Sequence, residues 1–240
     1  MRKILISLLL LSNVAFAQTL PDFAKEARWA EQVEDGIMDG DVVWLMANDH
    51  EFMSIYTPSE TDSNKAAIIV HGKGVHPDWP QVIQVLRVAL TEQGFNTLSL
   101  QMPVLENEAD SHAYMSLLDK ADARIQSALN YLKSESLETD VLIAHSFGGV
   151  MSTHFLTSNL GTVKRFVGIG MSDMTVRYLK NIKLPILDLY GDKDIQSVMR
   201  SAADRANTNN KEYTQKRVDA DHFFNERNQL LIDEVSDWLK

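Results

Sequence analysis

The chain has 240 residues, 45% of them hydrophobic, a formal charge of −10 at pH 7 and no cysteine. That length suits one α/β domain with a substantial core. The acidic balance excludes nucleic-acid binding and electrostatic attachment to anionic lipid, both of which need clustered Lys and Arg. Without cysteine there are neither disulfides nor lipidated cysteines, so the core alone must hold the fold.

The opening stretch, "MRKILISLLLLSNVAFAQ", reads as an export signal over residues 1–17. Arg2-Lys3 precede an apolar run, and Ala15-Phe16-Ala17 place small residues where a signal peptidase reads. The alternative is a retained anchor, but the run is short for a span and Ser12-Asn13 interrupt it. Cleavage after Ala17 removes Arg2 and Lys3, taking the charge from −10 to −12 (−10 − 2). The product is then expected beyond the inner membrane, in the periplasm of a Gram-negative cell, with no stable membrane anchor. Residues 18–40 form an N-terminal segment of no assigned structure, and 41–240 a single domain.

"DVVWLMANDHEFMSIYT" predicts a hairpin turning at Asn48-Asp49. "AAIIV" (66–70) predicts a buried strand that runs straight into "HGKG" (71–74). Trp79, Val82, Ile83, Leu86 and Leu90 predict a helix from 79 to 93, stopped by Gly94. A strand follows at 95–101, then a long helix marked by Tyr114, Leu118, Ala121, Ile125, Ala128 and Leu132. The remaining elements are a strand at 141–144, a helix at 147–158, strands at 165–170 and 185–191, a helix at 195–206, a strand at 213–218 and a C-terminal helix. A leading hairpin followed by alternating strands and helices means a mainly parallel sheet with helices on both faces. Such sheets bind ligands beyond the carboxyl ends of their strands. Only a short connection separates Gly170 from Pro185, so little or no lid is expected.

Four strand ends carry reactive residues. "AHSFGG" places Ser146 between a strand and a helix among small neighbours, as a nucleophile at a sharp turn requires. "HGKG" offers a backbone able to approach a ligand. An acyl-transfer site needs two N–H groups aimed at the oxyanion, here Phe147 and Lys73, with Gly74 as the alternative to Lys73. "YGDKD" offers Asp194 and Asp192 as the carboxylate that orients a histidine, and Asp192 could instead cap the next helix. Asp173, after another strand, is the weaker candidate. "DADHFF" offers His222 after the last strand.

The order Ser146, then acid, then His222 resembles the α/β-hydrolase superfamily over about residues 66–238. Within it, "AAIIVHGKGVHPDWPQVIQVLRVALTEQGFNTLSLQMP" resembles a bacterial family of uncharacterised proteins, DUF3530. Ala144 departs from the usual first glycine of the turn. The resemblance implies a serine hydrolase with a Ser–His–Asp triad, and its usual spacing of the acid selects Asp194. The expected function is cleavage of a carboxylic ester or related acyl bond of a small molecule, with no metal or cofactor. His71, His76 and Asp78 are the residues for a metal alternative, but they lack a ligand spacing. Met102, Met115, Met151, Met171 and Met174 could line an acyl pocket, although methionines so placed are more often core. The rival readings are a non-catalytic binding protein on the same fold and an envelope protein that binds a partner through the 41–57 hairpin.

Overall fold

The computed structural model describes residues 19–240, so the export signal expected at 1–17 lies outside the described residues. The elements run α1 (Phe23–Gly36), β1 (Asp41–Ala47), β2 (His50–Thr57), β3 (Lys65–Val70), α2 (Ile83–Glu92), β4 (Asn96–Leu100), α3 (Leu118–Ser134), β5 (Glu138–His145), α4 (Phe147–Ser158), β6 (Arg165–Ile169), α5 (Val176–Leu179), β7 (Ile186–Lys193), α6 (Gln196–Ala206), β8 (Tyr213–Asp221) and α7 (Asn228–Leu239). One eight-stranded sheet has the order β1-β2-β4-β3-β5-β6-β7-β8. The β1–β2 and β2–β4 pairs are antiparallel and all others parallel. Parallel strands covered on both faces read as continuous apolar runs, which is why "AAIIV" and "VLIA" stood out.

Alternation along each strand divides the core. Ile68, Leu98, Leu142 and Phe166 face α3 and α4, packing with Ala121, Ile125, Val150 and Phe155. Ile69, Ile143, Val167 and Leu189 face α2 and α7, packing with Leu86, Leu90, Leu231 and Val235. On that second side, α1 covers the end of the sheet through Ala30 and Val33 against Met53 and Ile55.

The predicted hairpin, mainly parallel sheet, helices on both faces and missing lid are all present. Between β6 and β7 there are only a 3-10 turn at Asp173–Thr175 and the four-residue α5. Helix α1 was not assigned from sequence, because its inner face mixes buried Ala30 and Val33 with buried Lys25 and Glu26. The charges break the apolar period on which a helix assignment depends. Helix α2 begins at Ile83 rather than Trp79; Val82 just before it has φ of 61°. Strands β5, β7 and β8 extend past the predicted ends, β7 through Asp192 and Lys193.

A buried polar network locks the β7–α6–β8 corner. Asp188 Oδ2 accepts from Arg205 Nε (2.8 Å), the Tyr213 hydroxyl (2.6 Å) and Gln215 Nε2 (2.7 Å). Both Asp188 and Arg205 are fully buried, and burial next to Asp188 pushes the Tyr213 phenol upward. Removing one partner strands the other charge in the core. Asp188→Ala is therefore expected to cost about 3–5 kcal/mol, measured as a lower urea midpoint at pH 7.

Candidate active site

Ser146 sits alone between the end of β5 and the start of α4, with φ 55° and ψ −122°. A non-glycine residue in this region stores about 1–3 kcal/mol of strain. The backbone around it sustains that conformation: the Ser146 N–H donates to the Ile169 carbonyl (2.8 Å), and the Gly149 N–H donates to the Ser146 carbonyl (2.9 Å). Close packing adds a second restraint. A Cβ on Gly148 would lie 2.6 Å from the carbonyl oxygens of Val70 and His71, and one on Gly72 would lie 3.1 Å from Ser146 Cβ. The serine turn and the "HGKG" loop thus fit together only because both are glycine at these points. Ala144 is fully buried with its methyl accommodated.

Two other strand ends converge on the serine. His222 Nε2 is 2.9 Å from Ser146 Oγ, and His222 Nδ1 is 2.6 Å from Asp194 Oδ1. A carboxylate facing Nδ1 holds the proton on that nitrogen and leaves Nε2 to accept from the hydroxyl. Asp194 is itself held, because Oδ1 accepts the Ile195 N–H (2.7 Å) and Oδ2 the Gly191 N–H (3.3 Å). Asp192, the alternative acid, stays within β7 and makes no hydrogen bond to His222. Nor does it cap α6, whose N-cap is Ile195. Asp173 lies in the 3-10 turn after β6.

Sequence reasoning missed two supporting residues. Gly170, at φ 60°, leaves room for the imidazole: a Cβ there would lie 3.0 Å from both Cε1 and Nδ1 of His222. Gly170→Ala is expected to displace His222 and lower kcat about 100-fold, with the fold checked by circular dichroism. His145 is the second. Its Nε2–H donates to the His222 carbonyl (2.9 Å), and the two rings are 4.9 Å apart. Burial pushes the His145 pKa down to about 4, so it holds the His222 backbone as a neutral ring. The signal for Gly170 was its place at the end of a strand; His145 directly precedes the serine.

As the first residue of α4, Phe147 has an N–H without an intrahelical acceptor. Lys73 follows Gly72, which touches Ser146, and its ammonium turns away to donate to the Ala109 carbonyl (3.3 Å). Gly74, the alternative donor, follows one residue further along the loop with φ of 75°. His71 is fully buried and its pKa is pushed down to about 3 by desolvation. Its Nδ1–H donates to the Gly72 carbonyl (2.7 Å) and its Nε2 accepts the Met102 N–H (2.9 Å), so it shapes the loop.

The pocket-wall reading of the methionines is corrected. Met102, Met151 and Met171 are fully buried in the core under α3 and α4, and Met171 fills the space beside Gly149 and Gly168. The residues of the metal alternative are engaged elsewhere. Asp78 pairs with Arg87 at 2.6 Å, His76 lies between the rings of Trp29 and Trp79, and both His71 nitrogens are used. Among the described residues, only Asp119, Asp122 and His154 group their ligand atoms within 4.8 Å, and Asp122 and His154 already pair at 2.9 Å.

A family model described as "Protein of unknown function (DUF3530)" matches residues 12–117, from ahead of α1 to the turn before α3. Est1E from Butyrivibrio proteoclasticus superposes with a TM-score of 0.67 at 14% identity, covering 84% of this chain and 98% of its own. The chain has the α/β-hydrolase fold. Other α/β hydrolases align as closely: a Xanthomonas campestris serine hydrolase described as lacking a lid (TM-score 0.65, 18% identity, 84% and 96% coverage) and a dienelactone hydrolase from Anabaena variabilis (0.66, 16%, 84% and 96%). No curated protein matches the sequence. Among the described residues no helix is long and apolar enough to cross a membrane.

Proposed function

We propose that this α/β-hydrolase chain is a serine hydrolase that cleaves carboxylic esters or related acyl bonds of small molecules. The unbroken Ser146 Oγ–His222 Nε2 and His222 Nδ1–Asp194 contacts, 2.9 and 2.6 Å, carry this reading. Ser146 attacks the acyl carbon while its proton passes to His222. The N–H groups of Phe147 and Lys73 receive the oxyanion, each such donor being worth about 3–4 kcal/mol of barrier. Collapse expels the alcohol, which takes the proton from His222. Water, deprotonated by His222, then releases the acid and restores Ser146. Asp194 holds the imidazole in place throughout.

Phe223, 40% exposed with its ring 5.1 Å from that of His222, and Ile195, 47% exposed next to Asp194, form an apolar rim at the site. With no lid above them, they suit an acyl or alkyl group that enters from open solvent. Neighbours named as esterases, together with Est1E solved with ferulic acid bound, support an ester substrate. The export signal read at 1–17 supports work beyond the inner membrane, which in a Gram-negative cell is the periplasm. A panel of p-nitrophenyl esters graded by acyl length tests the reading. Turnover that disappears in His222→Ala supports it; folded protein inert to every ester contradicts it.

A further inference from the structure

A second set of buried charges lies over the end of β4. Glu26 of α1 meets Arg124 of α3, with Oε2 to Nη2 at 2.8 Å and the side chains 5% and 3% exposed. The two helices pack on opposite faces of the sheet, so the pair closes around the strand's end. Glu26 Oε1 accepts the Val104 N–H (3.3 Å), and Arg124 Nη1 donates to the Gln101 carbonyl (2.8 Å). The Asp22 N–H donates to Val104 (2.7 Å), and Lys25 Nζ to the Leu105 carbonyl (3.1 Å) and Asn107 Oδ1 (2.8 Å). All of these backbone groups belong to the stretch 101–107, which is neither strand nor helix.

That stretch in turn holds the loop beside Ser146. Met102 N–H donates to His71 Nε2 (2.9 Å), and His71 Nδ1–H then fixes the Gly72 carbonyl (2.7 Å). Leu105 N–H donates to the Tyr114 hydroxyl (2.9 Å), whose ring packs on Phe147 with centroids 5.4 Å apart. Buried ion pairs seldom stabilise more than an apolar pair of equal volume, so this one calls for another reason. The backbone it holds supplies one. An irregular segment has no ladder of its own to fix its peptide planes, and charge-assisted hydrogen bonds do so strongly.

We propose that Glu26 and Arg124 are positioning residues for the oxyanion-binding loop. By fixing 101–105 they fix His71 and Gly72, and so the direction of the Lys73 N–H. The inference rests on Ser146 being the nucleophile, and it gives α1 a role in the reaction.

The test is the double variant Glu26→Gln/Arg124→Met in the mature chain, which removes both charges and strands neither. Its kcat for p-nitrophenyl acetate is expected to fall about tenfold or more, with KM within about twofold. Labelling of Ser146 by a fluorophosphonate should slow by a similar factor yet run to completion. The pH profile of kcat should keep its shape, since Ser146, His222 and Asp194 are untouched. A merely structural role would lower the labelled fraction and leave the rate constant alone, and that result overturns the inference, as does wild-type kcat. If the double variant does not fold, Glu26→Asp serves, since it keeps both charges while shortening the reach to Arg124 and the Val104 N–H: a loss in kcat of about threefold at constant KM supports the inference, and unchanged kcat overturns it. Wild-type protein that resists the probe brings down the hydrolase reading and this inference together.

Discussion

Ser146→Ala is expected to lower kcat by about 10⁴–10⁶-fold without loss of fold. The hydroxyl is the atom that must bond to the acyl carbon, and it is the group within hydrogen-bond reach of His222 Nε2. His222→Ala should cost about as much, and the double substitution little more, because residues acting as one unit lose their effect once. The carboxylate gives a sharper discrimination. Asp194→Asn should lower kcat about 10⁴-fold, because an amide facing Nδ1 favours the wrong tautomer. Asp192→Asn should stay near wild type, since His222 bonds to Asp194. Kinetics on one p-nitrophenyl ester, with melting temperatures as controls, check all five variants. A larger loss at Asp192 than at Asp194 would overturn the assignment.

Loss of stability in mild acid is the second large effect. His71 and His145 are buried and neutral, with pKa values pushed down to about 3 and about 4, chiefly by desolvation. Unfolded, each returns toward the ordinary 6.5. Between those values the unfolded chain binds more protons than the folded one, so stability rises with pH across that window. It is complete above about pH 6.5 and lost progressively as the pH falls toward 4 and then 3. Each histidine contributes a slope of up to about 1.4 kcal/mol per pH unit. Urea midpoints between pH 7 and 5 should fall steeply in the wild type. His145→Phe, which keeps a ring but cannot take a proton, should fall less steeply by about one proton's worth. An unchanged slope in that variant would contradict the account. Both histidines brace the site, one at the "HGKG" loop and one at His222, so activity should vanish along with the fold.

The sheet was legible in the sequence because its parallel strands are buried on both faces and read as unbroken apolar runs that stop at reactive residues. Ser146 and Asp194 could be named for the same reason, since each follows such a run, whereas His222 follows the largely polar edge strand β8 and was named from its place after the serine and the acid. The choice of Asp194 over Asp192 came from family resemblance; in space it follows from the end of β7, where the two carboxylates part company. Helix α1 was illegible because Lys25 and Glu26 are buried against partners some 80 and 98 residues away. Gly170 and His145 needed coordinates, since their roles are a space left empty for one ring and a bond to one carbonyl. Of the two readings open for the methionines, Met102, Met151 and Met171 take the core one: near the strand ends in sequence, they turn inward.

The most direct test of the central claim is intact-mass analysis of the mature protein after treatment with a fluorophosphonate, beside Ser146→Ala and His222→Ala. The account predicts one adduct per chain, mapped to Ser146 by peptide sequencing and absent from both variants. A folded wild type that gains no mass, or an adduct that persists in Ser146→Ala, would contradict it.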